Sequence, residues 1–232
     1  MGLLLAGLAT PTTWLRDAVG EPERGPTIVV EALAATPVLK PGQIVLEKSR
    51  VYALVGKTGL GHEHGIVGKI KAGKLNLNAA EDVGEIEFDM TSFLADTNEA
   101  RKFVELKGAT GESTRDKVTQ TMLGESVLDV EEFPTATFTI KSRELRRESK
   151  KSGPGVVLKG HFTLHGQTRP LEVVVQVDDK EGMKHLRGDF TILQSDFDIT
   201  PYKAALGTVG VADKLKIWGD IWIAGDKAPP KQ

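Results

Sequence analysis

Apolar and polar residues alternate with a period of two over much of this chain, the pattern of strands with one buried face. It is cleanest at Glu85-Ile86-Glu87-Phe88-Asp89-Met90, where Ile86, Phe88 and Met90 share one side and the three acids share the other. Ala136, Phe138 and Ile140 repeat the pattern against Thr135, Thr137 and Thr139. Further β-rich runs cover 43–56, 66–77, 156–165, 171–177, 183–193 and 213–224. Gly166-Gln167-Thr168-Arg169-Pro170 joins two of them and predicts a hairpin. Between the third and fourth runs, 98–107 and 113–123 read as helical, with Ser113 and Asp116 spaced like a capping pair. About eight one-sided strands with hairpin-scale connections predict an all-β fold, an up-and-down barrel or a sandwich, with a short helical insertion between strands 3 and 4.

Two stretches break the alternation. Residues 1–42 carry Pro11, Pro22, Pro26, Pro37 and Pro41 and read as an irregular arm or linker, the β domain spanning 43–225 and a tail 226–232. The stretch 192–216 joins two β runs through a loop that holds Phe197, Tyr202 and Leu206, and bulky apolar residues there predict a packed loop that plugs or rims a cavity.

Composition removes several function classes. The formal net charge of −2 gives no global field toward nucleic acid, and aromatics at 6% are too few for a base-stacking platform. With no cysteine, disulfides and thiolate metal sites are excluded. The apolar run at residues 1–9 is too short to span a bilayer and lacks the basic segment of a secretory signal. A periplasmic or secreted location is the expectation, a cytoplasmic one the alternative.

Candidate chemistry is sparse. His62 and His64 are two apart, so in an extended segment both rings point the same way and, with a carboxylate such as Asp196, make a candidate metal site. The plainer account is a hydrogen-bonding pair at a barrel mouth. Ser195 and Asp196 lack any nucleophile-elbow pattern and read as loop caps. His161 and His165 fall on the outer parity or at the turn, and His185 stands alone. The basic residues of 141–151 read as a solvated loop.

Four segments resemble the YceI-like domain family. They are Gly84-Glu85-Ile86-Glu87-Phe88-Asp89, Phe133-Pro134-Thr135-Ala136-Thr137-Phe138, the hairpin Gly160-His161-Phe162-Thr163-Leu164-His165-Gly166-Gln167-Thr168-Arg169-Pro170, and Gln194-Ser195-Asp196-Phe197-Asp198-Ile199. Gly61-His62-Glu63-His64 and Pro201-Tyr202-Lys203-Ala204-Ala205-Leu206-Gly207 resemble a subset of that family. Glu63 stands where the subset has Asp, and Asp198 where the family has Gly.

The resemblance implies an eight-stranded antiparallel lipocalin-like barrel that carries an isoprenoid-type lipid, polyisoprenoid or quinone, without catalysis and without a cofactor. Its tunnel would be lined by Ile86, Phe88, Phe138, Ile140, Phe162 and Leu164, with His62, His64, Ser195, Asp196 and Tyr202 at the polar end. No nucleic acid and no stable membrane insertion are expected, and a homodimer is allowed. A metalloprotein or enzyme using His62 and His64, and a solidly packed structural module, are the competing readings.

Overall fold

The computed structural model describes residues 39–146 and 155–225. Most of the expected arm, the tail and residues 147–151 of the basic run lie outside them. Eight long antiparallel strands run β1 (Arg50–Gly59), β2 (His64–Leu75), β3 (Glu81–Ala95), β4 (Thr135–Arg146), β5 (Gly155–Leu164), β6 (Gln167–Lys180), β7 (Met183–Leu193) and β9 (Val209–Ala224). A two-residue strand β8 (Lys203–Ala204) lies on the start of β9. Each long strand pairs with its neighbour in order, and β1 pairs with β9, so the sheet closes into a barrel. Closure removes the unpaired edges that an open sheet would expose.

The turns follow local backbone chemistry. His165 and Gly166 both have positive φ (50° and 71°), as the two-residue turn between β5 and β6 requires. This hairpin is tighter than expected, because Gln167 to Pro170 already belong to β6. Glu181 and Gly182 (φ 56° and 75°) make the equivalent turn between β6 and β7. Residues 43–49 do not continue β1. They cross one end of the barrel, where Ile44 bridges to Ile223 and Gln43 to Lys74.

That end is shut. Ile44, Leu75, Val83, Ile140 and Ile223 are each at most 2% exposed and belong to one apolar cluster. Ile140 lies opposite Gly84 on one neighbouring strand and Gly160 on the other. A Cβ at Gly160 would collide with the Thr139 carbonyl oxygen, so only glycine lets the ladder close beside Ile140.

The insertion between β3 and β4 holds two helices, α1 (Asn98–Phe103) and α2 (Glu112–Leu123). Thr97 Oγ1 accepts the Ala100 N–H and starts α1. The expected Ser113–Asp116 cap does not form: α2 starts two residues earlier in the chain, with Gly111 in the cap position and no side-chain cap bond. Ala100, fully buried, packs α1 against the outside of β2 at Gly65, where a Cβ would stand 3.1 Å from the Ala100 backbone. The Phe103 ring stacks on Tyr52 at 3.7 Å, and the Tyr52 hydroxyl donates to Glu99 at 2.7 Å. Burial, with the Glu99 carboxylate second, pushes the Tyr52 phenol far above its ordinary pKa. The basic segment also differs from the expected loop, since residues 141–146 continue β4.

Replacing Leu75 by Ala at the shut end is expected to cost about 2–5 kcal/mol, the transfer loss plus the void. The urea midpoint of the variant against the parent measures it.

Candidate ligand-binding site

The strands' alternation sends one parity inward. Val51 and Ala53 on β1, Ile66 on β2, Phe88 and Met90 on β3, Phe162 on β5 and Phe190 on β7 line an apolar space inside the barrel. Its cavity volume is about 100 Å³. Towards the shut end a second segment of about 50 Å³ lies among Ile86, Phe138, Leu158 and Ile221. The two segments meet at Val51, Phe88 and Phe190, which line both. Phe162 sits at the centre of the ring packing, edge-on to Phe88, Phe190 and Phe197 at 5.7–6.1 Å.

At the other end a third segment of about 200 Å³ lies under α2. Its walls are Val55, His64, Ile66, Lys117, Val118, Thr121, Met122, Val127, Gln194, Tyr202 and Val211. It shares Val55, Ile66, Met122, Val127 and Gln194 with the middle segment. A sequence of overlapping spaces therefore runs from a partly polar mouth, through an apolar middle, toward the shut end. Because they overlap, their volumes do not add. Each by itself is smaller than a usual small-molecule pocket.

Of the six residues expected to line a tunnel, Ile86, Phe88, Phe138, Phe162 and Leu164 border these spaces. Ile140 does not: its 1% exposure reflects the packed seal beside the two glycines.

The five residues expected at the polar end are split. His64 and Tyr202 border the mouth. His62 lies in the turn before β2 and is exposed, so the pair does not share one extended face. Ser195 donates its hydroxyl to Asp213 at 2.6 Å, and the same carboxylate accepts the Ser195 N–H at 2.8 Å. These hydrogen bonds, the Ser195 hydroxyl first, hold the Asp213 carboxyl below its ordinary pKa. The cap thus comes from β9, not from Ser195 itself. Asp196 is exposed on the 3₁₀ turn Gln194–Phe197. Asp198, which ends that turn, has φ 56°. A left-handed residue explains why glycine suits this position and why aspartate can replace it.

The stretch 192–216 is packed only in part. Phe197 and Ile199 are each 2% exposed, whereas Leu206 projects fully into solvent. The last strand begins at Val209, four residues before the expected start.

His64 has a partner that the sequence reading missed. Its Nδ1 lies 2.7 Å from Asp96 Oδ2, and Asp96 Oδ1 accepts the Gly65 N–H and an Arg101 N–H, both at 3.1 Å. Asp96 is 2% exposed. Burial alone would raise its pKa, but the His64, Gly65 and Arg101 donors outweigh it and hold the carboxyl below the ordinary range. An ionised carboxylate only accepts, so Nδ1 carries the hydrogen and Nε2 is the ring nitrogen left for the mouth. Gln194, 5% exposed, has a place that its motif does not reveal: its Nε2 donates to the Ala212 carbonyl and its side chain lines the neck between mouth and interior. Lys117 and Met122 come from α2, whose polar sequence carries no periodicity that would have placed them.

His165 ties its hairpin to neighbouring segments, with Nδ1 3.2 Å from the Phe197 carbonyl and its ring against Phe133. His185 is not alone: Nε2 lies 2.6 Å from Asp220, and its ring stacks on Trp222 at 4.0 Å. Among the described residues no three His, Cys, Asp or Glu side chains converge as metal ligands, and the carboxylate beside His64 is Asp96 rather than Asp196.

The YceI-like domain profile matches residues 43–221. The chain belongs to the YceI-like domain family. Among solved structures it is similar to BcnA of Burkholderia cenocepacia, at 18% identity and a TM-score of 0.52, covering 78% of this chain and 99% of that one. It is also similar to a polyisoprenoid binding domain from Saccharophagus degradans implicated in plant cell wall breakdown, at 11% identity and a TM-score of 0.55, covering 80% and 99%. At these identities the likeness is one of fold. No curated protein matches the chain. Within this YceI-like barrel, β1 to β7 and β9 are the frame, and α1 with α2 the insertion that borders the mouth.

Replacing Asp96 by Ala should cost roughly 3 kcal/mol, because His64 and Arg101 lose a buried acceptor while keeping some contact with water. A carboxyl with a lowered folded-state pKa stabilises the fold above its unfolded pKa of about 3.9, and that contribution fades as pH falls through the folded value. Urea midpoints between pH 7 and pH 2 should therefore fall less steeply below about pH 4 in Asp96→Ala than in the parent.

Proposed function

We propose that this protein binds a long-chain amphiphile of the isoprenoid type, a polyisoprenoid or a quinone, inside the barrel and carries it without chemical conversion. The observation that supports this most is the overlap of the three spaces: an apolar interior that the protein's side chains do not fill completely, reached through a mouth that holds His64, Gln194, Lys117 and Tyr202. A solidly packed module would have filled that interior, since ordinary cores leave few voids larger than a water molecule.

The energetics fit a non-covalent carrier. Each methylene moved from water into the sleeve gains about 0.8 kcal/mol. A chain of many such groups offsets the cost of losing its freedom on binding. The polar end of the ligand would stop at the mouth. There Lys117 offers a cation, the Tyr202 hydroxyl a donor and His64 its Nε2, a nitrogen that the Asp96 contact orients. The polyisoprenoid binding described for the Saccharophagus degradans domain agrees with this reading.

Native mass spectrometry of the purified protein, before and after extraction with organic solvent, tests it. The expected result is an extractable adduct of lipid mass on the parent. Ala53→Leu puts a larger side chain into the middle segment, so it should lower adduct occupancy about tenfold while the melting temperature stays level or rises, as cavity filling does. No adduct on the parent after exposure to isoprenoid lipids, or an adduct indifferent to Ala53→Leu, would count against an interior site.

A further inference from the structure

Every connection at the mouth end of the barrel lies between the C-terminal ends of β1, β3, β5 and β7 and the N-terminal ends of β2, β4, β6 and β9. Two of them project apolar side chains outward. Leu60, in the turn between β1 and β2, is 80% exposed. Leu206, in the turn between β8 and β9, is as exposed as a residue can be, at 107%. The two turns are joined: Gly59 pairs with Val209, and the Leu60 N–H donates to the Thr208 carbonyl at 2.9 Å. Tyr202, 41% exposed on the same segment as Leu206, also lines the mouth.

The backbone works to keep Leu206 outside. Ala205, Leu206 and Gly207 all have positive φ (48°, 56° and 85°). Only the glycine adopts that region without cost, so two adjacent non-glycine residues there mark a shape imposed by the surroundings. The Thr208 hydroxyl and N–H both donate to the Ala205 carbonyl and close the turn.

The charges beside these leucines are of both signs, and those on the strand ends next to the two turns, on β1 and β8, are lysines. Lys57 pairs across β9 at Val211, and Lys203 on β8 pairs at Gly210, so the two lysines flank one point of β9. Both are exposed, and neither makes a salt bridge within the described residues. Lys117 lies on α2 at the same mouth. Glu63 is the one carboxylate in the two turns, with Asp196 and Asp198 on the neighbouring 3₁₀ segment.

We infer that the Leu60–Leu206 lip is a docking surface for an anionic phospholipid bilayer, the leucines entering the headgroup boundary while Lys57 and Lys203 meet lipid phosphates. Such a lip sets the mouth against the source of a cargo that water hardly dissolves; in that sense the inference rests on the carrier reading. Exposed apolar tips with adjoining cations bind interfaces through combined burial and electrostatic attraction. The lip inserts no element across the bilayer, and none of the described helices is long and apolar enough to cross one.

Vesicle co-flotation of the full chain tests it, with phosphatidylcholine vesicles and with phosphatidylcholine–phosphatidylglycerol vesicles. Asparagine tolerates the left-handed region, so Leu60→Asn with Leu206→Asn removes the apolar tips and leaves the turn intact. The parent should float with the anionic vesicles more than with the neutral ones, and less as salt rises. The double variant should lose about tenfold or more of that binding at an unchanged melting temperature. No flotation of the parent, or flotation that the double variant retains, overturns the inference. So does a parent dimer, seen by sedimentation, that the double variant dissolves, because the lip would then belong to a second copy. Native mass spectra taken on the same samples separate the two ideas. Lipid adduct without flotation leaves the interior site and removes the lip; flotation lost in the variant, with no adduct on either protein, leaves the lip and removes the cargo.

Discussion

The hydrogen-bond ladder between β1 and β9 is the contact on which the rest depends. Without it the sheet would be an open, twisted ribbon with two unpaired edges, and its inner parity would need another layer to cover it. With it, the same apolar residues face one another around a cylinder. A cylinder of eight strands is wide enough that side chains need not fill it throughout. Here they fill one end, around Ile44, Leu75, Val83, Ile140 and Ile223, and leave space among Phe88, Phe162 and Phe190.

The two ends of the barrel are built differently for a physical reason. At the shut end the residues before β1 bridge to Ile223 and Lys74, so the chain itself supplies the stopper. At the open end the connections carry the helices, the 3₁₀ turn and the short β8. α2 has no buried residue, so the sheet holds it only by its margins. A cover of that kind can yield to a ligand at small cost, since weakly packed elements open first.

Polar groups are rationed to the mouth. Asp96 is the most buried carboxylate there, and it is matched by three donors from His64, Gly65 and Arg101. Such a group is stable only while every donor stays, which ties α1, through Arg101, to the strand that carries His64. The arrangement fixes one ring nitrogen and frees the other. Among the described residues Gln194 is the only buried polar side chain that borders the passage itself, and its amide is anchored to β9.

The sequence by itself determined the strands and their inward parity, because a period of two is a local property that survives whatever the strand packs against. Ile86 with Phe88, and Phe138 with Ile140, could be read off directly, and the hairpin at His165-Gly166 announced its own turn. Tertiary structure decided what lay at long range. Whether an inward residue borders a cavity or a seal depends on its neighbours two strands away, which is why Ile140, between Gly84 and Gly160, is packed while Phe138 borders space. The partner of His64 comes from 32 positions along the chain, at the end of β3, and no spacing rule predicts it. The exposure of Leu206 was equally hidden, because an apolar residue in a loop signals packing on average, and only the turn joining it to Leu60 reversed that expectation.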